Sequence, residues 1–292
     1  MLIEKKQMVR KGKEEICKEN HVQIDGREDL LYFTFLGIEK TGIVKHCFSS
    51  RIGGVSKGYL SSMNLSYMRG DEKECVDENY RRMAQVLGCR IEDIVCSDQT
   101  HTTNIRKVTA ADKGKGIIKL RDYTDIDGLI TNEPQVVLAT FYADCVPLYI
   151  VDPVHRAIGL SHSGWRGTVN KMGAVTLQEM AKEYGTRPED VFVAIGPSIC
   201  QDCYEVSQDV ADAFLAAFPN KRDEKELLYH TQGDKFQLNL WYANECVFRD
   251  AGVPAEHIEI TDICTCCNPD ILFSHRASKG MRGNLGAFMM LK

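Results

Sequence analysis

No uninterrupted apolar run in the 292-residue sequence approaches the roughly 20 residues needed to span a bilayer, and even residues 136–151 are broken by Asp144. Positive charge is not in surplus either. The net charge is -5 and the pI about 5.9, whereas a nucleic-acid surface requires a clustered basic face. Small substrates therefore fit better than nucleic acid or membrane. The stretch MLIEKKQMVRKGKEEICKENHVQ has no apolar core of the signal-peptide kind. The twelve cysteines are accordingly expected to be reduced thiols in a cytoplasmic protein. No internal repeat, low-complexity tract or clear linker divides the chain, which favours one domain, and at this length it can bury a large core unaided. Residues 1–22, rich in Lys and Glu with few apolar anchors, read as a solvated helix or frayed tail. The folded domain is expected over residues 23–292.

What the sequence does contain is concentrated in residues 141–168, FYADCVPLYIVDPVHRAIGLSHSGWRGT. Residues 146–151 and 157–162 are apolar, β-rich runs joined by turn chemistry beginning at Asp152 and Pro153. They predict a β-hairpin. With Val151 facing Ala157, counting outwards pairs Val146 with His162 and Cys145 with Ser163, so Cys145 and His162 meet at the open end of the ladder. A thiolate and an imidazole placed so can share a zinc ion or act as nucleophile and base. Thr168 is suited to cap a following helix through Met172, Val175 and Met180, and that helix start with Arg166 is a candidate anion site.

Elsewhere, strands are expected near residues 30–38 and 43–49. The Gly/Ser-rich segment that follows can close over a ligand, with Arg51 and Asn64 as its polar contacts. Val76, Tyr80, Met83 and Leu87 have the spacing of one helix face. His101, in DQTH, is a candidate third partner for Cys145 and His162, since three protein ligands and an open position hold catalytic zinc; spacing leaves that contact open. Asp127 is read as a turn-shaping residue that can also orient a ligand. Helices are expected at residues 175–184, 209–218 and 238–251, and their alternation with strands makes the class α/β. Cys200 and Cys203 form a C-x2-C, and Cys264, Cys266 and Cys267 a second cluster. Together they suggest a structural zinc site, but adjacent Cys266 and Cys267 point different ways and the second cluster lacks the usual spacing, so that reading is disfavoured and the roles of these cysteines are left open. The end of the chain reads as strand, basic loop and strand, with His275 and Arg276 as pocket-lining candidates.

Several stretches together, HCFSSRIGGVSKGYLSSMNLS, Gly70–Asp71, DQTH, ADCVPLYIVDP, HSGWRGT, AIGPSICQDCYEV and FSHRASKGMRG, resemble in order the laccase-domain proteins, also called the multicopper polyphenol oxidase or YfiH family. The resemblance covers about residues 40–292. It departs at Asn79, which is followed by Tyr80 where the family commonly has Arg. It implies one α/β domain with two mixed β-sheets packed between helical layers, and a metal site of His101, Cys145 and His162. It also implies phosphorolysis of adenosine, inosine, guanosine or methylthioadenosine and deamination of adenosine. Arg51, Arg166 and the helix start are then candidates for holding phosphate. Zinc is the implied ion, with copper as a second occupant. The oligomeric state is left open.

Two other activities compete. A multicopper oxidase needs many histidines in H-x-H pairs, and the sequence has eight histidines and no H-x-H. A copper polyphenol oxidase is thus the less favoured reading. The stronger alternative is a cysteine amidase, with Cys145 as nucleophile and His162 or His101 as base. Related proteins are associated with editing cell-wall precursors. A non-catalytic nucleoside-binding protein is the third reading.

Overall fold

The computed structural model describes residues 8–12, 16–24, 28–219 and 226–292. Strands β1 (Cys17–Ile24) and β2 (Glu28–Phe35), a short helix α1 (Leu36–Lys40), β3 (Val44–Ser49) and α2 (Lys73–Leu87) come first. Then follow β4 (Ile94–Cys96), β5 (Ile105–Lys107), β6 (Gly128–Thr131), β7 (Val137–Tyr142) and the hairpin β8 (Val146–Asp152) and β9 (Ala157–Ser163). Helices α3 (Trp165–Val169) and α4 (Met172–Tyr184) lead to β10 (Phe192–Ile195), β11 (Glu205–Ser207) and α5 (Gln208–Ala217). The chain ends with β12 (Leu228–His230), β13 (Lys235–Leu238), α6 (Leu240–Asp250), β14 (Ile258–Ile260), α7 (His275–Ser278) and β15 (Leu285–Leu291).

Two six-stranded mixed sheets carry the fold, in the orders β1-β2-β3-β15-β7-β4 and β14-β10-β8-β9-β6-β5, beside a small β11-β13-β12 sheet. Their facing sides share one core that includes Phe33, Phe35, Phe48, Tyr142, Tyr149, Leu160 and Met289. Strand β8 shows why its sequence is almost continuously apolar. Tyr149 and Val151 enter this inter-sheet core, while Val146, Leu148 and Ile150 meet the helical layer with Met172, Met180 and Phe248. Both faces are covered, so alternation disappears. On β9 the helix-facing side is small: a Cβ on Gly159 would lie 2.9 Å from Met180 Sδ, so glycine lets α4 settle on the strand. Helix α2 covers the other sheet with Val76, Tyr80, Met83 and Leu87, the face its spacing predicts. Each such buried large side chain contributes about 1.5–3 kcal/mol. The layers are thus helix, sheet, sheet, helix, the single α/β domain expected. Two tyrosines tie the sheets together: Tyr149 donates to Cys47 O at 2.8 Å and Tyr142 to Ser161 O at 3.0 Å.

Several expectations need correction. Residues 1–7 and 13–15 of the expected charged extension lie outside the described residues, but residues 17–24 form a sheet strand rather than a solvated helix. Cys17 and Ile24 are buried at its ends, and Arg10 pairs with Asp262 and Glu19. The hairpin register differs by one residue. Asp152 pairs with Ala157, so Val146 faces Ser163 and Pro147 faces His162. The cause is the Asp152 carboxylate, which accepts from Val154 N, His155 N and His155 Nδ1 and shortens the turn to residues 153–156. Thr168 does not cap a helix: it lies inside α3, bonded to Ser163 and Asn244, and α4 starts separately after Lys171 in the left-handed region. Finally, residues 271–273 are not a strand, and His275 opens the short α7.

Candidate metal centre and cavity

Asp127, fully buried just before β6, organises the site. Its Oδ1 accepts from His162 Nδ1 at 2.7 Å and from His101 N at 3.1 Å. Its Oδ2 accepts from Thr100 N, Thr102 N and Thr102 Oγ1 at 2.9–3.0 Å. One carboxylate therefore orients the His162 ring and shapes the turn that holds His101 at φ +69°. With Nδ1 committed to Asp127, His162 has only Nε2 left for the site, the usual support of a metal-binding histidine. Asp144, at φ +86°, aims the next residue, Cys145. Its carboxylate is fixed by Thr265 Oγ1 at 2.6 Å and Arg276 N at 2.7 Å.

Cys145 Sγ lies 4.0 Å from His101 Nε2, the two histidine rings are 4.9 Å apart, and the donor atoms of His101, Cys145 and His162 all lie within 4.8 Å of one another. Bonds of about 2.0–2.3 Å to a tetrahedral ion set ligands about 3.3–3.7 Å apart, so a modest inward shift suffices. Gly164 keeps the space clear. A Cβ there would lie 2.9 Å from His101 Cδ2 and 3.1 Å from Cys145 Sγ. These residues fit a zinc or copper ion. Burial opposes ionisation of Cys145, but the charge of His162 and hydrogen bonds from both histidines outweigh it and bring the thiol down to about 6. Burial likewise opposes protonation of His162, yet Cys145 and Asp127 push it up to about 9. Without metal the two form a thiolate–imidazolium pair near neutrality.

A cavity of about 520 Å3 opens on these three residues. Phe141 and Tyr67 contribute aromatic wall, and Arg69, Arg121 and Arg282 contribute positive charge. Arg121 is paired with Asp98 at 2.7 Å. Arg69 and Arg282 have no carboxylate partner among the described residues, and Arg282 Nε is buried without a hydrogen-bond partner. Burial, then the neighbouring Arg69, lower the Arg282 guanidinium to about 10, still cationic at neutral pH.

The other expected contacts fall elsewhere. Arg51 donates to Ser61 O and Pro269 O, both at 2.7 Å, and stacks on Phe273. Asn64 is buried, its amide shared among Ser66, Asp71 and Asn284. With Asn79 bonded to Val55 N, Ser56 Oγ and Asn64 O, this segment is pinned in place rather than free to close. Arg166 lies over Trp165, and the Arg276 guanidinium bonds Cys203 O and Glu205 O. None of these four lines the cavity. His275 is not among the cavity's lining residues either, although it stands close enough to Arg282 and Arg69 for burial and their charges to lower its pKa. Sequence reasoning did not find Arg69 or Arg282. Both stand in the quoted family stretches or beside them, but no local pattern marks either, because they converge only through the fold.

A family model described as multi-copper polyphenol oxidoreductase laccase matches residues 45–292. The purine nucleoside phosphorylase YlmD of Geobacillus stearothermophilus is 37% identical over 246 residues, covering 82% of this chain and 88% of the relative. YlmD of Bacillus subtilis, also named a purine nucleoside phosphorylase, is 34% identical over 249 residues, with 84% and 87% covered. The crystal structure of the Bacillus licheniformis hypothetical protein YfiH superposes with a TM-score of 0.84 at 30% identity, covering 92% of this chain and 98% of that one. With the family's sheets, its match over most of the length and these relatives, the chain belongs to the laccase-like YfiH/YlmD family.

Proposed function

We propose that the chain is a zinc-dependent purine nucleoside phosphorylase acting on adenosine, inosine, guanosine and methylthioadenosine, with a second activity that deaminates adenosine. The observation that supports this most is the meeting, at one cavity, of the His101–Cys145–His162 donor set and the carboxylate-free guanidiniums of Arg69 and Arg282. The names of the Bacillus and Geobacillus relatives favour the same reaction. The cavity volume is in the range of small-molecule sites.

The nucleoside base lies against Phe141, and Arg69 and Arg282 hold phosphate by charge-assisted hydrogen bonds. A phosphate oxygen bonds to ribose C1′ as the C1′–N9 bond breaks. The electron pair passes to the purine, and the proton carried by phosphate ends on a purine nitrogen. In deamination, a water oxygen bonds to C6 as the C6–N bond breaks; the exocyclic nitrogen leaves as ammonia with one of the water's protons, and the other ends on N1 of the 6-oxopurine. His101, Cys145 and His162 would hold zinc, which supplies Lewis acidity when bound. Asp127 keeps both histidines oriented. None of the twelve cysteines is joined in a disulfide, which suits a reducing, cytoplasmic setting.

Chromatography of metal-quantified protein with adenosine, with and without phosphate, tests the reading. Adenine with phosphate and inosine without it are expected, both lost in His101→Ala, Cys145→Ala and His162→Ala. Absence of turnover in zinc-replete protein refutes it. The depressed thiol of Cys145 favours one second reading, a cysteine amidase acting on cell-wall precursors. It predicts a covalent adduct on Cys145 and activity that survives zinc removal.

A further inference from the structure

The cysteines left without a role in the sequence come together. Cys200 and Cys203 follow β10, and Cys264 and Cys267 follow β14; both pairs are C-x2-C, the second concealed by the intervening Cys266. Their four sulfurs lie within 4.8 Å of one another. Cys203 and Cys267 are 3.5 Å apart and Cys200 and Cys267 3.9 Å apart. A tetrahedral zinc ion with bonds of about 2.3 Å separates its sulfurs by about 3.8 Å, which these two distances bracket. Cys200 N also donates to Cys264 Sγ at 3.2 Å, a hydrogen bond that favours a thiolate. Cys200 and Cys264 are buried and Cys203 and Cys267 half-buried.

The geometry points to a second metal site, a closed four-thiolate zinc centre formed by Cys200, Cys203, Cys264 and Cys267. Four protein ligands leave no open position, so the centre is structural. The two loops it joins also meet at the bridge between Ser198 and Cys264, where Thr265 N donates to Ser198 O at 3.1 Å. The N-terminal segment is fastened to the same place: Val9 and Asn268 exchange two hydrogen bonds, and Lys11 pairs with Asp202 between Cys200 and Cys203. Thr265, inside the second pair, is the residue that holds Asp144 beside Cys145. The centre thereby braces the catalytic cavity from behind.

The full-length Cys145→Ala/His162→Ala double variant, purified in zinc-containing reducing buffer, isolates this site from the first. It is expected to retain one zinc per chain, with an X-ray absorption shell made of sulfur alone. Adding Cys203→Ser and Cys267→Ser is expected to abolish that zinc. If the added substitutions prevent folding, the sulfur-only shell of the folded double variant decides the matter. No zinc in that folded variant, a shell containing nitrogen or oxygen, or a mass lower by two hydrogens from a Cys203–Cys267 disulfide would overturn the inference.

Discussion

Replacing Asp127 with Asn changes one atom and tests the logic of the whole metal centre. The carboxylate receives only donors: His162 Nδ1 and His101 N on one oxygen, Thr100 N, Thr102 N and Thr102 Oγ1 on the other. An asparagine amide must turn its NH2 towards one of these groups. If it faces His162, the ring can keep a bond only by moving its proton to Nε2, the nitrogen required by the metal. If it faces Thr100 and Thr102, the turn carrying His101 loses its anchor. Either choice forfeits about two hydrogen bonds to a charged acceptor, worth about 1.5–3 kcal/mol each before relaxation. Loss of such a supporting partner lowers metal affinity about 10- to 100-fold, or about 1.4–2.8 kcal/mol. Competition with a chromophoric chelator measures this directly, alongside kcat/KM for phosphorolysis and circular dichroism to verify the fold. A folded Asp127→Asn protein with wild-type zinc affinity and activity would refute the assignment of Asp127 as the positioning residue.

Gly164→Ala places a methyl group against His101 and Cys145 without backbone strain, since Gly164 has φ -74°; zinc affinity of the His101–Cys145–His162 site and activity should fall at least about tenfold for a stability cost of about 1–3 kcal/mol, measured by chelator competition and thermal melts. Arg282→Ala should raise KM for phosphate about 10- to 150-fold, the equivalent of one charge-assisted hydrogen bond, while adenosine deamination changes less, and phosphate titrations of both reactions check it. Between about pH 6 and 9 the metal-free site holds a Cys145 thiolate and a protonated His162. Zinc binding in that window displaces the His162 proton, so its affinity should rise about tenfold per pH unit up to about 9 and then level off. It should fall more steeply below about 6, where the thiol proton must leave too, and chelator competition across pH would expose a flat profile as a contradiction.

The hairpin and its chemical residues were readable because β8 and β9 are covered on both faces and carry almost nothing but apolar side chains between Cys145 and His162. Their register was not, because a single carboxylate, Asp152, decides where the turn begins. Strand β1 was hidden by its edge position: CKENHVQI has the charged composition that protects a sheet edge, with only its two ends buried. The metal ligands could be named because family stretches mark them, whereas Arg69 and Arg282 stand more than two hundred residues apart and meet only once the chain has folded. The four clustered cysteines show the same limit, since their pairs are separated by α5, the small sheet, α6 and β14.

The two tyrosine bonds between the sheets bear on the width of the cavity. His162 belongs to one sheet and Phe141 to the other, and Tyr142 and Tyr149 tie those two sheets together. The cavity is thus built as a fixed-gauge slot. Its width is set in the interior of the protein, by hydrogen bonds between the sheets as much as by the side chains that line it.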